Sequence, residues 1–226
     1  YTHIIMQISW KGQACFHIVC QQSKQEQVKI VIDPFDPSIA LRLPSLEADI
    51  VLATHDHQDH NNVKGVKGEP FVITTPGEYE FKEVFVQGVD SFHDDSAGKE
   101  RGRNTIYAIQ AEGIRLCHLG DLGQKELTAE QLESIGNVDV LLVPVGGVYT
   151  IDAKDAANIV SQIEPRVVVP MHYFLPNLKF KLDKVDEFLR IMGVKNAQAE
   201  NKLVIKAKDF TGEETKVILM TPFSSP

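Results

Sequence analysis

Six consecutive residues, His55-Asp56-His57-Gln58-Asp59-His60, place three imidazoles and a carboxylate at H-x-H-x-D-H spacing directly after the apolar run Ile50-Val51-Leu52-Ala53. The first pair alternates and the last pair is adjacent, so His55, His57, Asp59 and His60 cannot share one face of a strand or helix. From a loop at a strand's end they can fan around a metal ion. The competing reading is a solvated polar turn whose histidines are satisfied by hydrogen bonds.

Three further positions bear on that choice. His93 follows the strand-like Val84 to Val89. Asp121 lies in Leu119-Gly120-Asp121-Leu122-Gly123, after Ile114-Arg115-Leu116-Cys117. His172 lies in Pro170-Met171-His172-Tyr173, after Val167-Val168-Val169. Four times an apolar run ends and a potential ligand follows within a few residues, as expected of ligands delivered from strand ends to one rim of a sheet. These histidines and aspartates supply enough nitrogen and oxygen donors for two divalent ions sharing one carboxylate. Zn²⁺ suits them, and Mn²⁺ or Fe²⁺ are alternatives set by availability. Two such cations would lower the pKa of a water towards about 7 and polarise the oxygen under attack, so a carbonyl or phosphoryl centre could be hydrolysed without a nucleophilic side chain. Asp59 could also orient or deprotonate the attacking water, or serve as a ligand alone.

The elements that would position these residues are short strands in the first half: Ile4 to Ser9, Cys15 to Cys20, Val28 to Ile32, Ile50 to Ala53, Phe71 to Thr74, Val84 to Val89, Thr105 to Ile109 and Ile114 to Leu119. The second half alternates helices with strands. Thr128 opens a helix to about Ile135, with Gln131 in a capping-box arrangement. Val138 to Val143 reads as a strand, Asp152 to Ile163 as a helix, Val167 to Val169 as a strand and Leu182 to Met192 as a helix. Two strands, Lys202 to Lys206 and Thr215 to Met220, follow. This rhythm predicts an α/β fold of sheets covered by helices, in one domain over residues 1–226.

Substrate contacts are sought near the ligands. Lys99-Glu100-Arg101-Gly102-Arg103-Asn104 is basic and close to His93, so Arg101, Arg103 and Asn104 are candidates to clamp a phosphate or carboxylate. An exposed soluble loop is the plainer reading. Tyr149 and Tyr173 flank site loops and either touch substrate or pack. His118, at a strand's end, reads as a core residue or a support for the ligands.

The bulk numbers exclude more than they reveal. A net charge of −8 argues against broad nucleic-acid affinity, which comes mainly from neutralising phosphates. No apolar run approaches the roughly 20 residues of a membrane span. Three cysteines (Cys15, Cys20 and Cys117) are odd in number and flanked by apolar residues, so they read as buried thiols in a reducing cytoplasm. No secretory leader is recognised at the start, where Met6 is a candidate natural beginning with Tyr1 to Ile5 as extra residues. Oligomeric state is left open.

The order His55-x-His57-x-Asp59-His60, His93, Asp121 after glycine, and His172 resembles the metallo-β-lactamase superfamily. Ile32-Asp33-Pro34-Phe35 resembles that family's early strand and aspartate turn. Residues 98–105 and Val145-Gly146-Gly147-Val148-Tyr149-Thr150 resemble a branch of metal-dependent hydrolases related to ascorbate-6-phosphate lactonase. The resemblance implies a four-layer αβ/βα sandwich with a dinuclear site at one edge of the sheets. It implies that His55, His57 and His93 hold one ion and Asp59, His60 and His172 the other, with Asp121 bridging. That branch commonly has histidine where this chain has Gln13. A cysteine stands in place of Asp121 in one large antibiotic-hydrolysing branch, and a glutamate in place of His57 in the di-iron reductases, which disfavours both activities. The expected function is hydrolysis of a small lactone or ester, phosphorylated or not. The alternatives are a phosphodiesterase or nuclease on the same site, a promiscuous hydrolase with weak β-lactamase activity, and a non-catalytic metal-binding module.

Overall fold

The computed structural model describes residues 5–21, 26–210, 212 and 214–222. The expectations for Tyr1 to Ile4, including the start of the first strand, lie outside them. One sheet joins β1 (Ile5–Gly12), β2 (Cys15–Gln21), β3 (Gln27–Ile32), β4 (Ile50–Leu52), β5 (Phe71–Ile73) and, beside β1, β13 (Leu203–Ile205). The other runs from β6 (Gly77–Phe81) through β7 (Val84–Phe92), β8 (Arg103–Ala111), β9 (Ile114–His118), β10 (Val140–Pro144) and β11 (Val167–Met171) to β14 (Lys216–Val217). A short third pair is β12 (Ala199–Glu200) with β15 (Leu219–Met220). The helices are α1 (Ala129–Ile135), α2 (Ala153–Ile163) and α3 (Asp186–Ile191).

Alternation along the strands decides which side chains enter the core. In the first sheet the ladder aligns Trp10 with Phe16, Phe16 with Ile32, Ile32 with Leu52 and Leu52 with Ile73, all buried against the second sheet. Val31 and Val51 point the other way, into a smaller cluster with Phe35, Ile39, Leu46 and Val66. The 3₁₀ turns Pro37–Ile39 and Val63–Gly65 belong to this outer layer. Helices flank the second sheet, so its parallel strands β10 and β11 are apolar and buried throughout. Helix α2 turns a stripe of Ala156, Ile159, Val160 and Ile163 towards the core. The α/β sandwich expected from the sequence is present.

Helix starts follow the chemistry of their caps. Thr128 accepts from the Gln131 amide while the Gln131 side chain accepts from the Thr128 amide. Asp152 accepts from the amides of Lys154 and Asp155. The helix expected from Leu182 begins only at Asp186, because the residues before it pair elsewhere. The Asp183 amide donates to Gly146 O and its carbonyl accepts from Phe174 N. The strand expected over 215–220 is divided between β14 and β15, whose partners are β11 and β12.

Hydrogen bonds from β8 tie the sheets together beside the strand ends of interest. The Thr105 amide donates to Thr54 O at 2.8 Å. The fully buried Tyr107 hydroxyl donates towards Ala53 O at 3.1 Å.

Candidate metal centre

Chain exits at one rim bring the chemistry together. Strand β4 ends at Leu52 and leads into His55–His60. Strand β7 leads into His93, β9 into Asp121 and β11 into His172. The rings of His55 and His57 lie 4.5 Å apart, those of His55 and His93 4.6 Å, and those of His57 and His93 5.1 Å. Around the second focus, Asp121 Oδ2 lies 3.2 Å from His60 Nε2, 3.3 Å from His172 Nε2 and 3.4 Å from His93 Nε2. Asp59 Oδ2 lies 3.4 Å from His60 Nε2. All seven residues singled out in the sequence therefore converge, as two groups: His55, His57 and His93, and Asp59, His60, Asp121 and His172.

Asp33, which the sequence offers only as part of a turn, organises the centre from behind. Its fully buried carboxylate accepts from the Thr54 amide at 2.8 Å, the Thr54 hydroxyl at 2.8 Å and His60 Nδ1 at 2.9 Å. The Thr54 hydroxyl spends its one hydrogen on the bond to Asp33, so at 3.0 Å it accepts from His55 Nδ1. Each hydrogen bond seats a proton on Nδ1 and turns Nε2 towards the centre, the orientation that ligating histidines use. The sequence signal was an aspartate at a strand's end, and at 27 residues from His60 nothing local named its partner.

His118 and Asn104 set the approach of Asp121. His118 Nε2 donates to Ala14 O at 2.8 Å and its Nδ1 accepts from the Gly120 amide at 3.0 Å. Burial lowers the His118 pKa, which keeps the ring neutral for this double role. Asn104, buried at the start of β8, accepts from the Asp121 amide at 3.0 Å and donates to Ser91 Oγ and Leu119 O. Close packing completes the arrangement. A Cβ on Gly123 would stand 2.4 Å from Asp94 N and from His93 C, so only glycine lets these loops meet.

Electrostatics differ across the cluster. Burial raises the Asp121 carboxyl, but His172 and His60 outweigh it and hold it well below the usual range. Burial likewise raises Asp59, and His60 and His172 bring it down. His55 is pushed down to about 2, first by burial and then by His60. Burial lowers the His60 pKa, but Asp121, Asp33 and Asp59 together outweigh it and raise it above the usual imidazole value. A cation held by His60 Nε2 would compete with a proton for that nitrogen, because imidazole ligates as the free base.

The donor set fits divalent cations. His55 Nε2, His60 Nε2, His172 Nε2 and Asp121 Oδ1 are buried without hydrogen-bond partners, a costly state for polar atoms unless something binds them. Ligand atoms within each group lie within 4.8 Å of one another. The set is nitrogen and oxygen only, and the three cysteines are buried elsewhere as free thiols. Gln13 is fully buried, and its carbonyl accepts from Trp10 Nε1 at 2.8 Å and from the His172 amide at 3.2 Å. Neither side-chain amide atom of Gln13 has a hydrogen-bond partner.

A cavity of about 310 Å³ opens over the centre, lined by His57, Asp59, His93, Arg101, Asp121, Tyr149, His172 and Phe180. Of the proposed substrate contacts, Arg101 and Tyr149 reach it, with the guanidinium 5.8 Å from the Tyr149 ring centre. Arg103 and Asn104 do not. Strand β8 begins two residues earlier than expected, which sends Arg103 outward to Asp90 and buries Asn104 behind Asp121. Tyr173 packs on Trp10, with ring centres 5.0 Å apart. Phe180, unmarked in the sequence, faces both Tyr149 and His172.

Comparison with known proteins agrees with this geometry. The model of the beta-lactamase superfamily domain matches residues 7–172. A UPF0173 metal-dependent hydrolase from Thermococcus onnurineus is 31% identical over 196 residues, which span 75% of this chain and 85% of the relative. A Thermotoga maritima crystal structure, assigned to the metallo-beta-lactamase superfamily as a Zn-dependent hydrolase, shares 38% identity with a TM-score of 0.75, covering 96% of this chain and 100% of that one. Igni18, a metallo hydrolase from Ignicoccus hospitalis, is 21% identical with a TM-score of 0.63 over 89% of this chain and 99% of its own, a likeness of fold alone. The chain therefore belongs to the metallo-β-lactamase superfamily, in its family of UPF0173 metal-dependent hydrolases.

Proposed function

We propose that the chain hydrolyses a small lactone or ester bearing an anionic group, at a centre of two divalent cations, most readily Zn²⁺. One observation carries this reading: two adjacent His/Asp groups, with inward-facing orphan atoms, at the floor of a single cavity. His55, His57 and His93 would hold one cation and Asp59, His60 and His172 the other, with Asp121 between them. When bound, the cations bring the pKa of a water towards about 7 and polarise the oxygen of the group attacked.

The chain's own residues do the rest. Asp59 lines the cavity, with 20% of its side chain exposed against 3% for Asp121, which supports it as the group that orients the attacking water and accepts its proton. Arg101 at the rim pairs with the substrate's anionic group. Tyr149 and Phe180 give an apolar wall that fixes the scissile bond and thins the water around it. The cavity volume suits a small ligand, and together with the acidic charge it favours such a molecule over a nucleic-acid strand. Three buried free thiols are consistent with our placing the reaction in a reducing cytoplasm.

A rate panel on zinc-loaded protein tests the reading. It comprises lactones and p-nitrophenyl esters with and without an anionic group, bis(p-nitrophenyl) phosphate, labelled RNA and a β-lactam. Anionic lactones or esters should turn over fastest, and Asp59→Asn should cost about a hundredfold or more in kcat. Fastest turnover of RNA or the phosphodiester would overturn it.

A further inference from the structure

Between His93 and Arg101 the chain folds around one side chain that the chemistry above leaves unused. Asp94 is 3% exposed, and its carboxylate takes four backbone donors. Oδ1 accepts from Ser96 N at 2.8 Å and Gly98 N at 2.9 Å. Oδ2 accepts from Glu100 N at 3.0 Å and Arg101 N at 2.8 Å. The loop's base is closed by His93 N to Gly102 O and by Gly102 N to Gly98 O, each at 3.1 Å. Gly98 has a φ of +76°, and a Cβ there would stand 2.9 Å from Gly102 O. At the far end the Arg101 guanidinium reaches Val148 O at 3.4 Å and the Tyr149 ring.

We infer that Asp94 is a positioning residue: its carboxylate folds residues 94–101 into a clasp that carries Arg101 to the mouth of the metal pocket and so sets anion affinity there. The inference rests on reading Arg101 as the anion contact. An ionised carboxylate is acceptor-only and can serve four N–H groups on two oxygens. An asparagine offers one acceptor oxygen and sets an NH₂ against the other two donors. An arginine side chain is long and rich in rotamers, so fixing its backbone removes an ordering cost that anion binding would otherwise carry.

The test is calorimetric binding of inorganic phosphate to the zinc-loaded protein, compared among wild type, Arg101→Ala, Asp94→Asn and the double variant. Each single change should weaken phosphate roughly tenfold, as expected for losing one charged hydrogen-bonding partner. The double variant should be no weaker than Arg101→Ala alone. Zinc stoichiometry should stay at the wild-type value in all four. Gly98→Ala, which keeps the Asp94 carboxylate but strains the loop that it holds, should weaken phosphate similarly and serves if Asp94→Asn folds poorly. Wild-type phosphate affinity in both Asp94→Asn and Gly98→Ala, or a double variant weakened by the product of the two single effects, would overturn the inference. Because the readout is binding, a failure of the lactone and ester reading would appear in the rate panel and leave this result standing.

Discussion

Asp33 Oδ2 and His60 Nδ1 stand 2.9 Å apart with both side chains fully buried, so this pair decides which ring nitrogen His60 turns to the metal centre. Asp33→Asn keeps the shape and tolerates the backbone φ of +47°. It nonetheless removes an acceptor that must serve Thr54 and His60 together. Zinc affinity, read by competition with a chelating dye, should fall by about 10–100-fold. Unchanged affinity would mean that the pair does not select the ligating tautomer.

Gly123→Ala tests the close approach of the Asp121 loop to His93. The new methyl would lie 2.4 Å from the backbone of His93 and Asp94, so one loop must retreat. Stability in urea should drop by about 1–3 kcal/mol, and bound zinc measured by mass spectrometry should fall with it. A variant with wild-type stability and full zinc content would show that the loops need not touch.

Away from the centre, His17 on β2 gives a prediction about acid. Burial holds its pKa down to about 4 from an ordinary 6.5. The folded chain therefore refuses a proton that the unfolded chain accepts. Its contribution to stability is whole above pH 6.5 and declines as pH falls from 6.5 towards 4. In urea titrations of metal-free protein at pH 7.5 and 4.5, His17→Gln should lose less stability between the two than wild type. Equal losses would contradict the burial effect.

Much of this was legible in the chain, for a physical reason. Ligands at a sheet rim must follow strands, and fully apolar runs such as Val167-Val168-Val169 mark strands buried on both faces. The His55–His60 run, His93, Asp121 and His172 could thus be gathered without knowing the fold's dimensions. What stayed hidden depended on long-range pairing. Asp33 looks like any turn aspartate until β3 and β4 lie side by side and bring Thr54 and His60 to it. Asn104 and Arg103 share a basic, glycine-containing stretch that reads as a loop. Their pairing with Ser91 and Phe92 on β7 extends β8 over them and splits their fates. Asp94 carries no signal beside His93, because its partners are backbone amides and have no residue signature. Phe180 carried no mark at all, since an aromatic residue after a proline-containing loop is as often packing as pocket.

The most direct test of the central claim is a crystal grown with zinc and measured across the zinc absorption edge. Two anomalous peaks are predicted. One should lie among His55, His57 and His93, and the other among Asp59, His60 and His172. Asp121 should touch both, with ligand distances of about 2.0–2.2 Å. A single peak, or peaks seated away from these seven side chains, would contradict the two-cation account.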